Sequence, residues 1–545
     1  MLTLIKKLFS PARSASEPAA ETKAATAPEI LAKAEALFGD GRLLQAKDLY
    51  EQALKLDPNL AKAHSRLGFL YLEEKNGLRA HYHLEKALHL DPSNADVHYM
   101  FAGILFDRGE VEESITGYRR AIELDASLML AYRDLGMAYI LLNRQQEANA
   151  IIDKALELFP DFCDFHYYKG NLHSLALDYA SATACFSHAL SLEKNSMMLY
   201  TDLASVLLEQ NRVEEAIKIY QLAQVQFPDF PDIRFSEGIC QLLLGDFRNG
   251  FRNTEWRFKM AQIDDFAASL PQPARWNGMQ DLTGKTLILI TEQGFGDTIQ
   301  YLRYIPLLKA RKCQLILVAS TAIKPMLEKV EGVDGVCLFG DEVAYDYFAA
   351  MMSLPLLLGT EPDTIPAQVP IKSEATRTTV WRERLARQNG RPLIGIAWSG
   401  NPAHKKDRTR SISIDLIRRL FDVEADFIVL QKDVTESDQA VLRDYPNVRH
   451  FGADMHDFLD TAALVDAVDL VISVDTSIVH LSGAMAKPTW VMVEFSPDWR
   501  WFLGRDDSPW YPTVRICRQP KIRDWESVID GVGQALLKWK AEQHF

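Results

Sequence analysis

The organisation of the first half of this chain is decided by AKDLYEQALKLDPNLAKAHSRLG, residues 46–68. One alanine of this stretch returns at a strict interval of 34 residues, as Ala53, Ala87, Ala121, Ala155, Ala189 and Ala223. A helix-turn-helix unit has this length, and such units bury a continuous core only when they are stacked. The period therefore predicts an all-α solenoid of six repeats followed by a capping unit.

The positions around each alanine recur with it. Seven residues earlier the side chain is small, three residues earlier it is large and apolar, and fifteen residues later it is glycine or alanine, as in Ala46, Tyr50 and Gly68. Small side chains let two helices approach closely, and the large apolar side chain fills the gap beside them. Proline stands five residues after four of the six alanines, at a position where it ends a helix. An ordinary helical bundle is the alternative, but chance repetition would not place six alanines at one strict spacing.

This array resembles the tetratricopeptide family over residues 27–258. The resemblance implies a groove that holds a peptide or a partner protein. By repeat register, the positions that face the groove are Tyr99, Phe106, Arg133, Met137, Tyr167 and Asn171. Their aromatic, basic and amide groups predict a peptide with apolar and acidic side chains.

Length and composition set the limits of the whole chain. At 545 residues it is too long for one core, and its formal charge of −14 argues against a nucleic-acid partner. Six scattered cysteines favour a reducing, cytoplasmic location. We find no transmembrane segment in the sequence, and the N-terminal MLTLIKKLFS predicts at most a weak peripheral membrane contact. We expect a flexible leader at 1–26, a linker at 259–283, and two further domains at 284–390 and 391–545.

The chain beyond the linker has a different pattern, in which short apolar runs alternate with amphipathic segments. This alternation predicts βα units and parallel sheets. The expected strands are 286–290, 314–320, 335–339, 345–351, 393–400, 427–431 and, as the last strand, 470–475. A terminal helix over 524–540 is expected to cross back and brace the first of the two halves.

Two stretches of this region carry a second resemblance, GFGD at 294–297 and DTSIVHLSGAMAKP at 475–488. Residues 284–540 resemble the GT-B glycosyltransferases, and most closely the heptosyltransferase-type family, glycosyltransferase family 9. The repeat array joined to such a domain also resembles the protein O-linked N-acetylglucosamine transferases in layout. The resemblance implies a multi-domain fold, an all-α tetratricopeptide solenoid followed by an α/β GT-B fold with two Rossmann-like halves. Ser477 stands where family 9 has glycine.

The resemblance places the catalytic carboxylate at Asp297. Glycosyl transfer needs a base for the acceptor hydroxyl, and an aspartate that faces the cleft can serve. The alternative is that Asp297 only caps the helix that begins there. Glu292, in the same loop, is the reserve candidate for the base.

Transfer also needs groups that neutralise the departing diphosphate. No convincing DxD metal site is present, so we expect no metal and no cofactor beyond a nucleotide-diphosphate sugar as donor. Helix N-termini and fixed cations can hold a phosphate instead. The predicted donor-binding residues lie at strand ends or in the aromatic segment 496–512, namely Gly294, Gly296, Ser399, Gly400, Asn401, Arg408, Arg410, Gln431, Lys432, Asp475, Thr476, Ser477, His480 and Trp499.

Each of these residues also has an ordinary structural explanation. The two glycines would let the backbone turn tightly, the basic loop that includes Lys405 and Lys406 could be merely solvated, and Gln431 and Lys432 could end a strand in water. His480 could be a satisfied core histidine, and Trp499 could pack between the two halves.

The expected function is that of a metal-independent glycosyltransferase that acts on a hydroxyl of a protein or glycan, with the array recruiting the acceptor or a partner. Two alternatives stay open. The chain could be a non-catalytic scaffold with a degenerate transferase domain, or an envelope-polysaccharide enzyme similar to the heptosyltransferases. The array favours a protein acceptor, although it could instead anchor the enzyme while the acceptor is a surface glycan.

Overall fold

The computed structural model describes residues 25–260, 275–292, 294–386, 390–401 and 407–543. The predicted leader, most of the predicted linker, and Lys405 and Lys406 lie outside these residues. The chain forms two compact units, of which the first ends at Val206 and the second begins at Leu207. This boundary lies within the sixth repeat.

Paired helices build the first unit, as the 34-residue period predicts. The helices are α1 (Ala27–Gly39), α2 (Leu43–Leu56), α3 (Ala61–Glu73), α4 (Gly77–Leu90), α5 (Ala95–Asp107), α6 (Val111–Leu124), α7 (Met129–Leu141), α8 (Gln145–Leu158), α9 (Cys163–Leu175) and α10 (Tyr179–Leu192). A further helix, α11 (Met197–Glu209), begins in this unit and ends beyond it. The all-α solenoid is confirmed.

Small side chains set the distance between paired helices. Ala46 and Ala53 are fully buried, and Tyr50 is buried beside them. At Gly170 in α9, a Cβ atom would lie 2.6 Å from the ring of Phe186 in α10. The small and large positions of the sequence pattern therefore meet across each helix pair, as expected.

The junctions between repeats contain a hydrogen bond that we did not predict. At His64, His98 and His166, the imidazole Nε2 lies 2.6–3.1 Å from the carbonyl oxygen of the proline six residues earlier. A carbonyl oxygen can only accept, so each ring carries its proton on Nε2. Where Ala126 and Lys194 replace the proline, the residue six positions later is tyrosine, not histidine.

The second unit begins with the end of the helical array and continues as two parallel sheets. Its first helices are α12 (Val213–Gln226), α13 (Pro231–Leu243) and α14 (Phe247–Thr254), followed by a 3-10 turn over Glu255–Lys259. The first sheet has the order β3-β2-β1-β4, with β1 (Thr286–Ile290), β2 (Gln314–Ala319), β3 (Gly335–Leu338) and β4 (Tyr347–Ala350). Its short helices are α15 (Phe295–Tyr301), α16 (Ile305–Lys309), α17 (Lys324–Leu327) and α18 (Leu354–Leu357).

The second sheet has six parallel strands in the order β10-β9-β8-β5-β6-β7. Helix α19 (Ala375–Arg384) precedes it, and the strands are β5 (Leu393–Ala397), β6 (Asp426–Val429), β7 (Val448–His450), β8 (Leu470–Val474), β9 (Thr489–Val493) and β10 (Val514–Arg518). The intervening helices are α20 (Asp407–Arg410), α21 (Ile414–Ile417), α22 (Glu436–Leu442), α23 (Phe458–Ala467) and α24 (Ser477–Ala484), and the last is α25 (Trp525–Glu542). In both sheets the strand order reverses beside the first strand, which is where open α/β sheets bind ligands.

Two expectations about this region are wrong. Residues 470–475 do not form the last strand, because β9 and β10 follow, and β7 was also missed. The terminal helix α25 does not brace the first half. Its apolar face, including Trp525, Ile529 and Leu536, belongs to the core beneath the second sheet. In the described part of the chain, no helix combines the length and the apolar character of a membrane span.

The close approach at Gly170 predicts opposite effects for two glycine substitutions. Gly170→Ala should lower the free energy of unfolding by about 1–3 kcal/mol, because the added methyl group meets a buried ring. Gly103→Ala is the matched control, since the nearest atom to its Cβ is 3.9 Å away, and it should stabilise by about 0.5–1 kcal/mol. Urea unfolding of the full chain measures both. Equal midpoints for the two variants would contradict the packing argument.

Candidate functional site

Two loops that follow strands of different sheets meet in the second unit. One leads from β1 into α15, and the other leads from β8 into α24. A Cβ atom on Gly296 would lie 2.6 Å from the His480 ring, so only glycine permits this approach. The two stretches that carry the sequence resemblance therefore come together in space.

The two glycines of the first loop do not have the role that we predicted, which was to let the backbone turn tightly. Neither Gly294 nor Gly296 has a positive φ angle, so neither supplies a tight turn. Gly294 is the exposed N-cap of α15, with no atom within 4 Å of its Cβ position. Gly296 lies inside the helix, where the imidazole of His480 requires a residue without a side chain.

Asp297 is the third residue of α15, and the N-cap of that helix is Gly294. The Asp297 carboxylate forms an ion pair with Nη2 of Arg500, and its side chain keeps 18% of its surface exposed. The position of Asp297 is therefore set by Arg500, which belongs to the other half of the unit. The N-cap of α15 is Gly294 and not Asp297.

Glu292, the reserve candidate for the base, is committed elsewhere. Its carboxylate accepts from Nε of Arg257 at 2.8 Å and from Nη2 at 2.9 Å. The backbone nitrogen of Met352 donates to it at 3.2 Å. Glu292 is thus a structural partner of a buried arginine, which leaves Asp297 as the carboxylate of this loop.

The loop after β8 holds the second group of predicted residues. Thr476 is the N-cap of α24, and its hydroxyl accepts from the backbone nitrogen of Ile478 at 3.3 Å. Ser477 is the first helical residue. Burial, followed by the charge of Asp498, raises the pKa of Asp475 to about 6. A carboxyl with this pKa changes charge close to neutral pH.

His480 is buried between the two loops. Its Nδ1 lies 3.0 Å from the hydroxyl of Tyr511. Burial, followed by the charge of Arg500, lowers the pKa of His480 to about 3, so the ring is neutral at ordinary pH. When the Tyr511 hydroxyl donates to Nδ1, the proton of the ring is on Nε2.

The loop after β5 is braced by Gln431. The Gln431 side-chain oxygen accepts from the backbone nitrogens of Trp398 and Ser399, at 2.9 and 3.3 Å. Its amide nitrogen donates to the Ser399 hydroxyl at 2.9 Å and to the Asp433 carbonyl at 3.3 Å. These four bonds use the capacity of the amide, so Gln431 positions Ser399 and is not available to a nucleotide.

The two arginines predicted to bind phosphate differ in their surroundings. Arg410 is half-buried over Gly400, donates from Nη1 to the Asp475 carbonyl at 3.0 Å, and forms an ion pair with Asp407. It thus bridges the crevice between β5 and β8. Arg408 is exposed, and so is Asn401 at the end of the loop. Of the two, Arg410 is the one placed at the point where the strand order reverses.

A cavity of about 630 Å³ lies where β6 and β7 end. It is lined by Lys432, Asp433, Val434, Gln439, Leu442, Arg443, Val448, His450, Phe451, Gly452, Ala453 and Asp454. Of the residues predicted to bind the donor, Lys432 lines this cavity.

Trp499 does not face a cleft. It is 2% exposed, and its ring packs against Phe247 and Phe251 of α14 and against Trp510. The packing alternative accounts for this residue, and we withdraw its assignment as a sugar or base contact. Because α14 supplies two of these rings, the last helix of the array is built into the core of the second unit.

Several residues at the site were not recognised from the sequence. Arg500 contacts Asp297, Gln300 and Asp498, and Tyr511 contacts His480. The sequence offers only a weak signal for Arg500, which stands between two tryptophans in DWRW. For this segment we considered stacking against a ligand and packing between the halves, and not the charged residue.

The groove positions of the first unit also need correction. Arg133 was the basic group behind the expectation of an acidic peptide. Its Nε donates to Asp134 at 2.7 Å, and its Nη1 lies 3.8 Å from Asp164. Tyr99 and Tyr167 likewise donate to aspartates, Asp134 and Asp202. The basic charge is already paired, so the expectation of acidic side chains in the partner loses its basis.

Family comparisons match the helical array. Tetratricopeptide repeat models match residues 31–95 and 169–231, and a further one matches 131–162. A TPR repeat model matches residues 103–143. These matches cover the repeats whose period is visible in the sequence.

Relatives among known proteins extend the comparison. Protein FlbA of Caulobacter vibrioides is 27% identical over 92% of this chain and 89% of its own length. The probable UDP-N-acetylglucosamine--peptide N-acetylglucosaminyltransferase SPINDLY of Hordeum vulgare is 34% identical, but the match covers 20% of this chain and 13% of that protein.

Solved structures resemble only part of the chain. A crystal structure of MamA, 25% identical, covers 30% of this chain and 94% of its own, with a TM-score of 0.28. PilF of Pseudomonas aeruginosa, 21% identical, covers 38% and 97%, with a TM-score of 0.33. From the repeat matches and the observed helix pairs, the first half of this chain is a tetratricopeptide repeat array, and its similarity to SPINDLY lies within that array.

Proposed function

We propose that the second unit is a metal-independent glycosyltransferase that uses a nucleotide-diphosphate sugar. The observation that carries this proposal is the meeting of the two strand-end loops, with Gly296 against His480 and the Asp297 carboxylate beside them. Both loops lie where their sheets reverse strand order, which is the usual place for a nucleotide in such folds. The motif resemblance to family 9 supports the same reading.

The reaction follows from the groups present. Asp297 takes the proton of the acceptor hydroxyl while that oxygen attacks the anomeric carbon of the donor. The bond between the sugar and the diphosphate breaks, and the diphosphate leaves with the electron pair. Negative charge that develops there is stabilised by the Arg410 guanidinium, by the backbone nitrogens at the start of α24, and by Nε2 of His480.

The nucleoside of the donor would occupy the cavity beyond the braced loop. This cavity begins where β6 ends, next to β5 and the Ser399 turn. Lys432 and Asp433 stand at its entrance, where an ammonium and a carboxylate can bind the polar edges of a ribose or a base. Gln431 serves the donor indirectly by holding Ser399 and Gly400 in place.

The array would recruit the acceptor or a protein partner, since repeats of this type bind peptides and proteins. Helices α12–α14 belong to the second unit and contribute to its core. A deletion of the array up to residue 230 would therefore damage that unit, and substitutions on the surface of the first unit are the better test of recruitment.

Substitution of the proposed base gives the most direct test. Asp297→Asn should lower donor turnover by about 10²–10⁴-fold, the usual contribution of a general base. Turnover of the wild-type protein should be unchanged by EDTA, because no metal takes part. Asp507→Asn is the control, since its side chain is exposed and pairs only with Arg505. Full activity in Asp297→Asn would refute the assignment, and loss of activity in EDTA would refute metal independence.

Substitution of each arginine in the loop after β5 distinguishes donor binding in the crevice from a general effect of surface charge. Arg410→Gln should raise the KM for the donor about 10–100-fold, because charged hydrogen bonds to phosphate contribute about 1.5–3 kcal/mol. Arg408→Gln should raise it by a small factor, since that guanidinium is exposed. Steady-state kinetics of both variants measures the difference. A larger effect at Arg408 would place the diphosphate outside the crevice.

Donor binding distinguishes an enzyme from a scaffold. Titration calorimetry with a panel of UDP-, GDP- and ADP-sugars should give saturable binding of at least one, and Arg410→Gln should weaken it. If no sugar nucleotide bound to the full chain, a scaffold with a degenerate transferase domain would replace the proposal.

A further inference from the structure

Arg500 is a buried cation with three side-chain partners. It lies in a short 3-10 helix, Trp499–Trp501, and is 8% exposed. Its Nη2 forms the ion pair with Asp297, its Nη1 donates to Asp498 at 2.8 Å, and its Nε donates to the side-chain oxygen of Gln300 at 2.5 Å. The guanidinium also lies over the Trp499 ring, 4.5 Å from its centre.

Two of these partners lie on one face of α15. Asp297 and Gln300 are three residues apart, which makes them neighbours on a helix surface. Arg500 therefore holds the helix at two points, and the planar guanidinium fixes both directions at once. Since α15 follows β1 and Arg500 follows β9, this contact joins the two α/β halves of the unit.

The charge on Arg500 is maintained despite burial. Burial works against the charged form, but Asp297 and Asp498 outweigh it, and the pKa of Arg500 stays well above its ordinary value. The attraction is mutual, because an ion pair favours the charged form of each partner. Arg303, three residues after Gln300, differs, since it donates to three carbonyl oxygens and to the side-chain oxygen of Gln368.

We propose that Arg500 is a positioning residue for the proposed base, keeping the Asp297 carboxylate ionised and aiming it from a fixed helix. This inference rests on the proposed function. Arg500 does not touch the reacting atoms, and its effect on the reaction passes through Asp297. The side chain of Asp297 is largely buried, and burial favours the neutral carboxyl, which cannot accept a proton, so a neighbouring cation keeps this carboxylate available as a base.

Among the described residues, several other titratable groups lie around α15 and Arg500. His480, on α24, is neutral, with its pKa lowered to about 3. The tyrosines around α15 are neutral as well, because burial raises the pKa of Tyr301, and raises those of Tyr304 and Tyr511 to about 12. Arg257 is paired with Glu292, and Arg303 is held by carbonyl groups. Asp475, with its pKa of about 6, is the nearby group that also titrates near neutrality.

The test is the pH profile of kcat/KM for the full chain, with the sugar nucleotide of the UDP-, GDP- and ADP-sugar panel that it hydrolyses. In Arg500→Gln the acidic limb should move to higher pH by about 1–3 units, because the cation that favours the carboxylate is gone. The same shift should appear when Arg500→Gln is made in an Asp475→Asn chain and in an Asp498→Asn chain, which leaves Asp297 as the carboxyl responsible for the limb. The control Arg505→Gln removes a half-buried cation that pairs with the exposed Asp507, and its limb should coincide with that of the wild type.

The substitution Arg500→Lys distinguishes the effect of the positive charge from the effect of the guanidinium geometry. Lysine keeps the cation, so the acidic limb should stay near its wild-type position. A single ammonium cannot hold Asp297 and Gln300 together, so kcat should fall at least about tenfold. Circular dichroism establishes that each variant is folded, and if Arg500→Gln does not fold, Arg500→Lys decides the question.

Each outcome has a distinct meaning. An unshifted limb in a folded Arg500→Gln protein, or a wild-type kcat in Arg500→Lys, overturns the positioning role and leaves the proposed function intact. Activity that survives in Asp297→Asn, or no turnover of any sugar nucleotide in the panel, overturns the proposed function and this inference with it.

Discussion

A buried guanidinium needs hydrogen-bonding partners that offset its lost hydration, and two guanidiniums that are paired with carboxylates shape the loop around which the second unit is arranged. Arg257 and Arg500 are both almost completely buried, and each forms an ion pair with one carboxylate of the segment that leads from β1 into α15. Arg257 holds Glu292 at the start of the segment, and Arg500 holds Asp297 at its end. Removal of either partner would leave an uncompensated charge in the interior, so Glu292 and Asp297 are each held in place by a buried arginine.

The two arginines come from different parts of the chain. Arg257 follows the last helix of the repeat array, and Arg500 follows β9 in the second sheet. The aromatic cluster of Phe247, Phe251 and Trp499 packs between these same two regions. The end of the array is therefore part of the structure that holds the candidate base, and it does not serve as a detachable adaptor. This explains why the compact second unit begins at Leu207 and not after the array.

At the strand ends, residues with a structural role can be distinguished from residues with a proposed chemical role. Gln431, Glu292 and Trp499 all lie near the site, yet their hydrogen bonds or ring faces are taken up by protein groups. Asp297, Arg410 and His480 also have protein partners, but they lie where the strand order reverses. Their position along the sequence placed both sets at strand ends. The tertiary structure distinguished them by which groups they contact and by their place in the sheets.

The sequence by itself determined the repeat array, because a period of 34 residues leaves no other way to bury the same small and large positions. It also located β1, β2, β5, β6 and β8, which are continuous apolar runs of a kind that needs burial on both faces. It missed β7, which has three half-buried residues, and β10, which carries two arginines. Tertiary structure alone decided that Arg500 pairs with Asp297, a contact across 203 residues of chain. Local patterns specify helices and strands, but the partner of a buried charge depends on which distant segments the fold brings together.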